Sequence, residues 1–382
     1  MKKIIFILLF AVTFESCDKN EKQIEVQNYL ILKDDAIKAA NTFFEINKSL
    51  NALRRLNNVK TVMEVVEIKA SNEENALYII NYNGGGYAIV SADQRINPIL
   101  SYSDSESFKT NITELPPPVK DWLLSEVDLV SYKKMTNATQ DLSVKSEWDI
   151  VQKLVPPIDN NCPEDVYVQK GPLLKTSWDQ GCSYNNLFEY CSTSSNCNKQ
   201  WVGCVPVAMS QVMRYWAKPN SYNWAAMASN YGTSQTQALM LAVAQAVQTK
   251  NGCESSPAQS DNIAGAMNNL GYNAVKTDNF NHSLILQQLN WNRPVILCGG
   301  RKKDGISWSM YTNGHCWVAD GYQLFQSCER IDGQNISFQF LLYHMNWGWG
   351  GYANGYFSCT NFNPGVHSFN YCKEIIYNIT PY

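Results

Sequence analysis

The stretch of the chain that decides the fold is Val202-Gly203-Cys204-Val205-Pro206-Val207-Ala208-Met209. Apolar residues recur after the cysteine at three- and four-residue spacing, at Val205, Ala208, Met209, Val212 and Trp216. Such spacing is typical of an amphipathic helix packed on a core. A proline is tolerated in the first turn of a helix, because its missing N–H would have no partner there. The pattern therefore predicts a helix that begins at Cys204.

A helix that begins at Cys204 places the thiol in an electropositive setting. The unpaired N–H groups and the dipole of a helix N-terminus favour an anion, which lowers a thiol pKa toward a reactive thiolate. Cysteines are also commonly buried, so this stretch alone leaves a core cysteine or half of a disulfide as alternatives. As a nucleophile, Cys204 would need a base and a site for a developing oxyanion.

The composition of the whole chain limits the possible classes of protein. The length of 382 residues favours two or three domains. A hydrophobic content of 45% with 17% charged residues supports a large core and argues against disorder. The net charge is −3 and there is no basic run, so nucleic acid is excluded as a partner.

The first residues are typical of an export signal. Lys2 and Lys3 precede an apolar run that is too short for a permanent membrane span, so residues 1–17 are predicted to be a signal peptide. Cys17 stands directly after the apolar part, like the acylated residue of bacterial lipoproteins. We expect an exported bacterial protein, either lipid-anchored at the outer membrane or cell surface through Cys17, or secreted after ordinary signal cleavage.

The cysteines agree with export. Eleven of the 12 cysteines lie from Cys162 onward, and ten remain when Cys204 is set aside. An even number of cysteines in an oxidising compartment predicts several disulfides. The pairing cannot be derived from sequence, although Cys191 and Cys197 are near enough to close a short loop. There is no paired Cys or His spacing of the kind that binds zinc, so we expect neither a metal nor a cofactor.

The cysteine distribution also divides the chain into two parts. A helix is predicted from Asp35, a β-hairpin over 76–92 and a helix over 119–135, and the polar stretch 136–146 is expected to be an exposed linker and cleavage zone. The predicted domains are therefore 18–145 and 146–382. The second begins with helices near 204, 235–250 and 261–270. Strands follow at 294–298, 315–322, 337–346 and 355–359, and this order indicates an α+β fold.

One of four histidines is well placed to act as a base. His315 follows a glycine and opens a β-type run, whereas His282 and His367 lie in polar loops and His344 lies within a strand. Catalytic imidazoles need an orienting partner, and two later residues are candidates, because Asn346 could orient the His315 ring and Trp347 could cover that hydrogen bond. The side-chain amide of Gln180 could join the Cys204 N–H in an oxyanion hole.

With these residues in order, the sequence resembles the streptopain family of papain-fold cysteine peptidases. The matching pieces are Trp178-Asp179-Gln180-Gly181, Gly203-Cys204-Val205, Arg293-Pro294-Val295-Ile296, Gly314-His315, Asn346-Trp347-Gly348-Trp349-Gly350-Gly351 and Gly355-Tyr356-Phe357. The hairpin segment Tyr87-Ala88-Ile89-Val90-Ser91-Ala92-Asp93 resembles the propeptide of that family. One departure is Cys316, which follows the histidine where an apolar or small residue is usual.

The resemblance implies an inactive precursor of a cysteine endopeptidase, with an α+β propeptide domain that blocks the cleft. The nucleophile helix would pack against an antiparallel sheet that carries the base. It implies Cys204 as nucleophile, His315 as base and Gln180 in the oxyanion hole, with Asn346 and Trp347 orienting and shielding the histidine. It also implies substrate contacts at Ser256, Gly314 and Cys298. The redox state of Cys298 and Cys316 stays open.

Two other classes of function remain as alternatives. A catalytically silent, papain-like binding lipoprotein would have the same scaffold without turnover, and a Cys–His cell-wall amidase would have the same chemistry with another substrate. For the leading hypothesis the partners are a protein or peptide substrate and the chain's own propeptide as an inhibitor. A membrane enters only through the possible lipid anchor at Cys17.

Overall fold

The structure is a computed structural model that describes residues 28–50, 60–152, 166–192, 196–301, 312–331, 334–359 and 371–382. The predicted signal peptide, including Cys17, lies outside these residues, and so does His367. Among the helices of the described ranges, none has the length and apolarity that a membrane span requires.

The N-terminal part is a four-stranded antiparallel sheet with helices on both faces. Its elements are α1 (Lys33–Leu50), β1 (Val62–Lys69), β2 (Asn75–Tyr82), β3 (Tyr87–Ser91), β4 (Ile99–Ser103), α2 (Pro117–Met135) and α3 (Leu142–Val151). Successive side chains of a strand point to opposite faces, so Tyr78 and Ile80 pack in one apolar cluster with α1 while Ile79 packs in another with α2. Both faces of the sheet are thereby buried.

The predicted hairpin is confirmed. Strands β2 and β3 pair antiparallel from Leu77 opposite Ser91 to Asn81 opposite Tyr87. The turn between them uses Gly84, Gly85 and Gly86, which have φ of 77°, 94° and 101°. Glycine adopts these positive angles without the steric cost that a side chain would add.

The C-terminal part has a group of helices followed by long strands, in the predicted α+β order. Its elements are β5 (Val166–Lys170), α4 (Cys204–Trp216), α5 (Ser234–Ala246), α6 (Asp261–Asn269), β6 (Tyr272–Thr277), α7 (His282–Asn290), β7 (Val295–Arg301), β8 (Thr312–Ile331), β9 (Gln334–Asn346), β10 (Gly355–Phe357) and β11 (Cys372–Pro381). Helices α4, α5 and α6 pack on one another and against strands β7, β8 and β11 in a single apolar cluster. Helix α4, which begins at Cys204, is therefore packed on an antiparallel sheet, as expected.

A continuous sheet joins the two parts of the chain. Its strand order is β1-β2-β3-β4-β10-β9-β8-β7-β11-β6, with β5 paired to β8. The junction is the antiparallel pairing of β4 with β10, where Tyr102 lies opposite Tyr356 and Ser101 lies opposite Phe357. The N-terminal region thus docks by adding its strands to the sheet that carries His315.

The expected linker over 136–146 is wrong in its last part. Helix α3 begins at Leu142 and buries most of its residues from Ser146 to Val151, so the expected domain boundary at 145/146 falls inside a helix. The physical reason is an apolar stripe, because Trp148 and Val151 pack in the cluster that contains α1 and the N-terminal sheet. Trp148 also donates a hydrogen bond from Nε1 to the carbonyl oxygen of Ile96, at 2.8 Å.

Four disulfides are present among the described cysteines. They join Cys182 to Cys197, Cys191 to Cys253, Cys298 to Cys316 and Cys359 to Cys372. The prediction of several disulfides is confirmed, but the suggested closure of Cys191 on Cys197 is wrong. Chain folding brings the Cα atoms of Cys191 and Cys253 to 5.7 Å although they are distant in sequence. The residue Cys162 and the side chain of Cys328 lie outside the described part of the chain.

Candidate active site

Cys204 is the first residue of helix α4, as the sequence pattern predicts. The preceding residue, Gly203, has a φ of 98°, and a Cβ there would lie 2.7 Å from the carbonyl oxygen of Ser256. Only glycine suits a position with both a positive φ and such a close backbone contact. The entry to the helix, and hence the place of the thiol, is therefore set by backbone packing between Gly203 and the Ser256 loop.

The Cys204 thiol differs from its neighbours in being unpaired. It is half-buried and is free, whereas the other described cysteine side chains are in disulfides. Burial raises the pKa of the thiol, while the backbone N–H groups of Cys316, Val205 and Cys204 itself lower it. The expected effect of the helix N-terminus is present but burial outweighs it. In this form of the chain the thiol is therefore neutral near neutral pH.

His315 lies on strand β8 and is buried. Its Nε2 atom is 2.9 Å from the carbonyl oxygen of Trp347. Because a carbonyl oxygen only accepts, Nε2 must carry the proton, and Nδ1 is then the unprotonated nitrogen of the neutral ring. Burial lowers the pKa of His315 to about 4, against the smaller opposite effect of this hydrogen bond. The imidazole is thus held neutral with Nδ1 available as a proton acceptor.

Two tryptophan rings lie against the His315 ring, and Trp347 is not one of them. The Trp317 ring is nearly parallel to it, with centroids 6.3 Å apart, and the Trp349 ring is at 6.5 Å. The Trp347 ring instead packs on Trp317 at 4.9 Å and on Phe357 at 5.1 Å. The expected shielding by the Trp347 ring is therefore corrected. Trp347 contacts the histidine through its carbonyl, and Trp317 and Trp349 provide the aromatic cover.

Asn346 does not orient the imidazole, which corrects a second expectation. Its Oδ1 accepts hydrogen bonds from Nε2 of Gln211 at 3.0 Å and from the N–H of Gly348 at 3.2 Å. Its Nδ2 donates to the carbonyl oxygen of Thr176 at 2.7 Å. These bonds occupy the amide and hold the turn that follows it, so the turn presents the Trp347 carbonyl to His315.

Gln180 lies close to the start of the nucleophile helix. Its carbonyl oxygen accepts from the N–H of Val202 at 3.0 Å, two residues before Cys204. Asp179 accepts from the N–H groups of Gln180 and Gly181, at 2.5 and 3.2 Å, and fixes the turn. The side-chain Nε2 of Gln180 is buried and has no hydrogen-bond partner among the described residues. An unpaired buried donor costs about 1–3 kcal/mol, and an acceptor brought by a ligand would relieve that cost.

The three expected substrate contacts differ in their surroundings. The Ser256 hydroxyl donates to the carbonyl oxygen of Trp201 at 2.6 Å and accepts from the N–H of Gly252 at 3.1 Å, so it braces its own loop. Gly314 is exposed directly before His315. Cys298 is fully buried and bonded to Cys316. The expectation of a substrate contact by the Cys298 side chain is therefore wrong, because its sulfur is enclosed in the core.

The other described histidines have partners of their own. Nδ1 of His344 lies 2.6 Å from the buried carboxylate of Asp320, which also accepts from the N–H of Leu174 at 2.8 Å. Nδ1 of His282 lies 3.0 Å from the hydroxyl of Tyr343. Both rings tie together elements that are distant in sequence. In the described ranges no group of three or more histidine, cysteine, aspartate or glutamate side chains is arranged to hold a metal ion.

A thiol at a helix start and an imidazole on an adjacent antiparallel sheet are the arrangement that the resemblance to papain-fold cysteine peptidases implies. Two family models match it: the Peptidase C10 family over residues 178–357 and the Spi protease inhibitor over residues 28–128. These matches, with the relatives below, support a streptopain-type cysteine peptidase with a propeptide.

Individual relatives agree with the family matches. Streptopain of Streptococcus pyogenes serotype M1 is 24% identical over 93% of this chain and 93% of its own length. The thiol protease/hemagglutinin PrtT of Porphyromonas gingivalis is 25% identical over 78% of this chain, which spans 35% of that longer protein. Among solved structures, a prointerpain A fragment of Prevotella intermedia shares the fold, with a TM-score of 0.58, 21% identity, and coverage of 83% of this chain and 98% of that one.

Proposed function

We propose that this chain is the precursor of an exported cysteine endopeptidase, with Cys204 as nucleophile and His315 as general base. The side-chain amide of Gln180 and the N–H of Cys204 form the oxyanion hole, and the Trp347 carbonyl orients the imidazole. The observation that carries the proposal is the Cys204 sulfur, which is free and receives the N–H of Cys316, the residue next to His315. This contact supports a nucleophile and a base that act together although they come from distant parts of the chain.

The proposed acylation step moves one proton and forms one bond. Nδ1 of His315 takes the thiol proton of Cys204, and the thiolate attacks the carbonyl carbon of a peptide. The negative charge that develops on the carbonyl oxygen is stabilised by Nε2 of Gln180 and the N–H of Cys204. The C–N bond then breaks as His315 donates the proton to the leaving amine, which leaves an acyl-enzyme.

The proposed deacylation repeats these transfers with water. Nδ1 of His315 takes a proton from a water molecule, whose oxygen attacks the thioester carbon. The C–S bond breaks, the peptide acid leaves, and the proton returns to the Cys204 sulfur. Throughout both steps the Nε2–H bond to Trp347 keeps the ring in one orientation and one tautomer.

The propeptide is proposed to act from the histidine side of the site. Its helix α2 donates from Nε1 of Trp122 to the carbonyl oxygen of Ser358 at 3.4 Å and accepts at Pro118 from the Tyr371 hydroxyl at 2.8 Å. The apolar cluster that contains Cys204 has no described residue before Leu173. We therefore infer that the propeptide packs on the loop around Trp347 and on the sheet edge, and not on the apolar cluster that contains Cys204.

The release point of the propeptide is proposed to lie beyond helix α3. That helix packs with α1 and with β9, so a cut before it would leave part of the propeptide packing on the peptidase. We propose a boundary between Val151 and Val166, in place of the expected boundary after residue 145. N-terminal sequencing of the mature form tests this directly.

Export and anchoring are proposals from the sequence. Residues 1–17 have the charge and apolar pattern of a signal peptide, and disulfides form in oxidising compartments outside the cytosol. We propose an extracellular protein with Cys17 as the lipid-carrying residue. Metabolic labelling with a radiolabelled fatty acid tests this, since label on the wild-type chain should be absent from Cys17→Ser. A chain with a new N-terminus away from Cys17 and no label would contradict the anchor.

The function is tested by the full precursor and its Cys204→Ala variant. The wild type should mature, cleave denatured casein and lose this activity with an epoxide thiol inhibitor. The variant should neither mature nor cleave casein, and it should melt at the same temperature as the wild-type precursor. Cleavage of casein by purified Cys204→Ala would sink the proposal. Turnover of peptidoglycan stem peptides with no cleavage of denatured protein would instead favour the cell-wall amidase.

A further inference from the structure

A buried side-chain amide connects three segments of the proposed site. Gln211 is fully buried on helix α4, about two turns after Cys204. Its Oε1 accepts from the hydroxyl of Thr176 at 3.0 Å and from the N–H of Trp178 at 3.2 Å. Its Nε2 donates to Oδ1 of Asn346 at 3.0 Å. Gln211 therefore bonds to two segments that are remote from its own helix.

Each segment that Gln211 contacts leads to a group of the proposed chemistry. The first segment continues from Trp178 to Gln180, whose buried side-chain Nε2 has no partner among the described residues. The second continues from Asn346 to Trp347, whose carbonyl oxygen accepts the His315 hydrogen bond. The helix itself begins at Cys204. One amide thus lies between the nucleophile, the oxyanion donor and the acceptor that orients the base.

The two remote segments are also bonded to each other. Nδ2 of Asn346 donates to the carbonyl oxygen of Thr176 at 2.7 Å, and the N–H of Gly350 donates to the carbonyl oxygen of Trp178 at 3.0 Å. With the Gln211 bonds these contacts form a closed network in the core. Buried polar networks whose members are all satisfied rigidify their surroundings, and a partial loss is costly.

We propose that Gln211 is a positioning residue for this peptidase: its amide sets Gln180 and the Trp347 carbonyl in register with Cys204. The proposal rests on the proposed function, since it assigns no new chemistry to the site. The neutral amide satisfies all three bonds, because its oxygen accepts twice while its nitrogen donates. The carboxylate of a glutamate could accept but has no donor for Asn346, and the thioether of a methionine makes neither bond with useful strength.

The test uses full-length chains that are matured by the same added protease, with processing followed on a gel. Gln211→Met keeps most of the volume and removes the bonds. Displacements of catalytic groups by about 1 Å can cost about 100-fold in rate, so we expect kcat for a fluorogenic peptide to fall about 20-fold or more. KM should stay within about threefold, because no group that binds substrate is changed.

A matched control lies next to Gln211 on the same helix. Ser210 is also fully buried, and its hydroxyl has no hydrogen-bond partner among the described residues. Ser210→Ala should therefore leave kcat near the wild-type value. A milder variant, Thr176→Val, removes a single bond to Gln211 and should lower kcat only about threefold, as expected for one neutral hydrogen bond. It serves as a further probe if Gln211→Met does not fold.

A pH profile separates positioning from simple stabilisation. In Gln211→Glu, burial should raise the carboxyl pKa, and the protonated acid can donate to Oδ1 of Asn346 as the amide does. The ratio of kcat for Gln211→Glu to kcat for the wild type should therefore rise by about tenfold as pH falls from about 8 to about 5. A ratio that does not change with pH would overturn the proposal.

The outcomes keep this inference apart from the proposed function. If Cys204→Ala remains active, the nucleophile assignment fails. If Cys204→Ala is inactive while Gln211→Met or Thr176→Val lowers the melting temperature but leaves kcat unchanged, only the positioning role fails. The positioning role is supported if Gln211→Met loses kcat at constant KM, Ser210→Ala keeps the wild-type kcat, and Gln211→Glu regains kcat as pH falls.

Discussion

The indole ring of Trp122 on propeptide helix α2 packs edge-on against the ring of Phe357, with centroids 4.8 Å apart. Phe357 packs in the same way on Trp347, at 5.1 Å, and the carbonyl oxygen of Trp347 accepts the His315 hydrogen bond. Two ring contacts therefore connect the propeptide to the residue that orients the proposed base. We expect loss of the propeptide to uncover Phe357, since its ring contact with Trp122 would be removed.

Substitution of Trp122 should weaken the hold of the propeptide. Trp122→Ala removes a buried indole from the core, and such changes typically cost about 3–5 kcal/mol. We expect the precursor to melt at a lower temperature and to mature faster than the wild type, as followed by calorimetry and by a gel time course. The mature enzyme should have unchanged kcat and KM, because Trp122 belongs to the part that is released.

The control for this change is Met135→Ala at the end of the same helix. Met135 is 74% exposed, so its loss should affect neither the melting temperature nor the rate of maturation. A Trp122→Ala precursor that matures at the wild-type rate would show that the ring contacts do not restrain the peptidase.

The ionisation state of Cys204 gives a second prediction. Burial raises the thiol pKa and lowers that of His315 to about 4, so the precursor holds both groups neutral near neutral pH. Thiolate is the reactive species. Below the thiol pKa, the thiolate fraction rises about tenfold for each pH unit, which corresponds to about 1.4 kcal/mol in the free energy of ionisation. Iodoacetamide should therefore alkylate Cys204 of the precursor slowly at neutral pH and faster with each unit of rising pH.

The mature enzyme should differ in that experiment. Once the site opens to water, the burial penalty on both charged forms falls, and the helix N-terminus favours the thiolate. The alkylation rate near neutral pH should then be higher than in the precursor and should depend less on pH. Mass spectrometry of the Cys204 peptide measures both rates. If Cys204 is alkylated at the same rate and with the same pH dependence in the precursor and the mature enzyme, Cys204 and His315 are not held neutral in the precursor.

Local sequence patterns predicted the elements that depend on neighbours in the chain. The helix start at Cys204 and the glycine turn of the β2–β3 hairpin are both decided within a few residues. The pairing of Cys191 with Cys253 and the β4–β10 junction depend on contacts between distant segments. No local pattern encodes such contacts, and α3 was missed because polar residues at its start concealed the apolar stripe formed by Trp148 and Val151.

For the site, sequence reasoning named Gln180, Cys204 and His315 as candidates but not the hydrogen-bond partners that the structure gives them. The partner of His315 is a backbone carbonyl, and backbone atoms have no signature in a sequence. The amide of Asn346 was an obvious candidate because its side chain can accept, yet Gln211 and Thr176 occupy it. Gln211 could have been identified from the sequence, because a polar residue on the apolar face of a helix requires a buried partner.

The Cys298–Cys316 disulfide should support catalysis. It links strands β7 and β8 at directly opposed positions, and the N–H of Cys316 points at the Cys204 sulfur. Replacement of both cysteines by alanine frees the strand that carries His315. We expect kcat to fall about tenfold at constant KM and the melting temperature to drop, as expected for a lost disulfide worth about 2–4 kcal/mol.

The comparison for that variant is the disulfide between Cys359 and Cys372. Cys359 and Cys372 pack in a different apolar cluster from the one that contains Cys204. The double alanine variant of that pair should lose stability without the same loss of kcat. Equal kcat losses in the two double variants would indicate general loosening rather than support of the strand at His315.

A buried carboxyl in helix α3 should make the precursor less stable as pH rises. Burial raises the pKa of Glu147 from 4.5 to about 8, although the hydrogen bond from Nδ2 of Asn97 to its carboxyl opposes the shift. The folded chain therefore keeps a proton that the unfolded chain releases across this range. Stability that is present below pH 4.5 is lost as pH rises toward 8, by about 1.4 kcal/mol per pH unit.

Glu147→Gln should remove that pH dependence, because an amide stays neutral in both states. In a Cys204→Ala background, which removes the proposed nucleophile, the free energy of unfolding from urea titrations should exceed that of the parent by an amount that grows from about pH 5 to about pH 8. Glu114→Gln is the control, since the Glu114 side chain is 58% exposed. Parallel pH curves for Glu147→Gln and its parent would show that Glu147 is not held protonated, and helix α3 would then have to tolerate a buried anion beside Asn97.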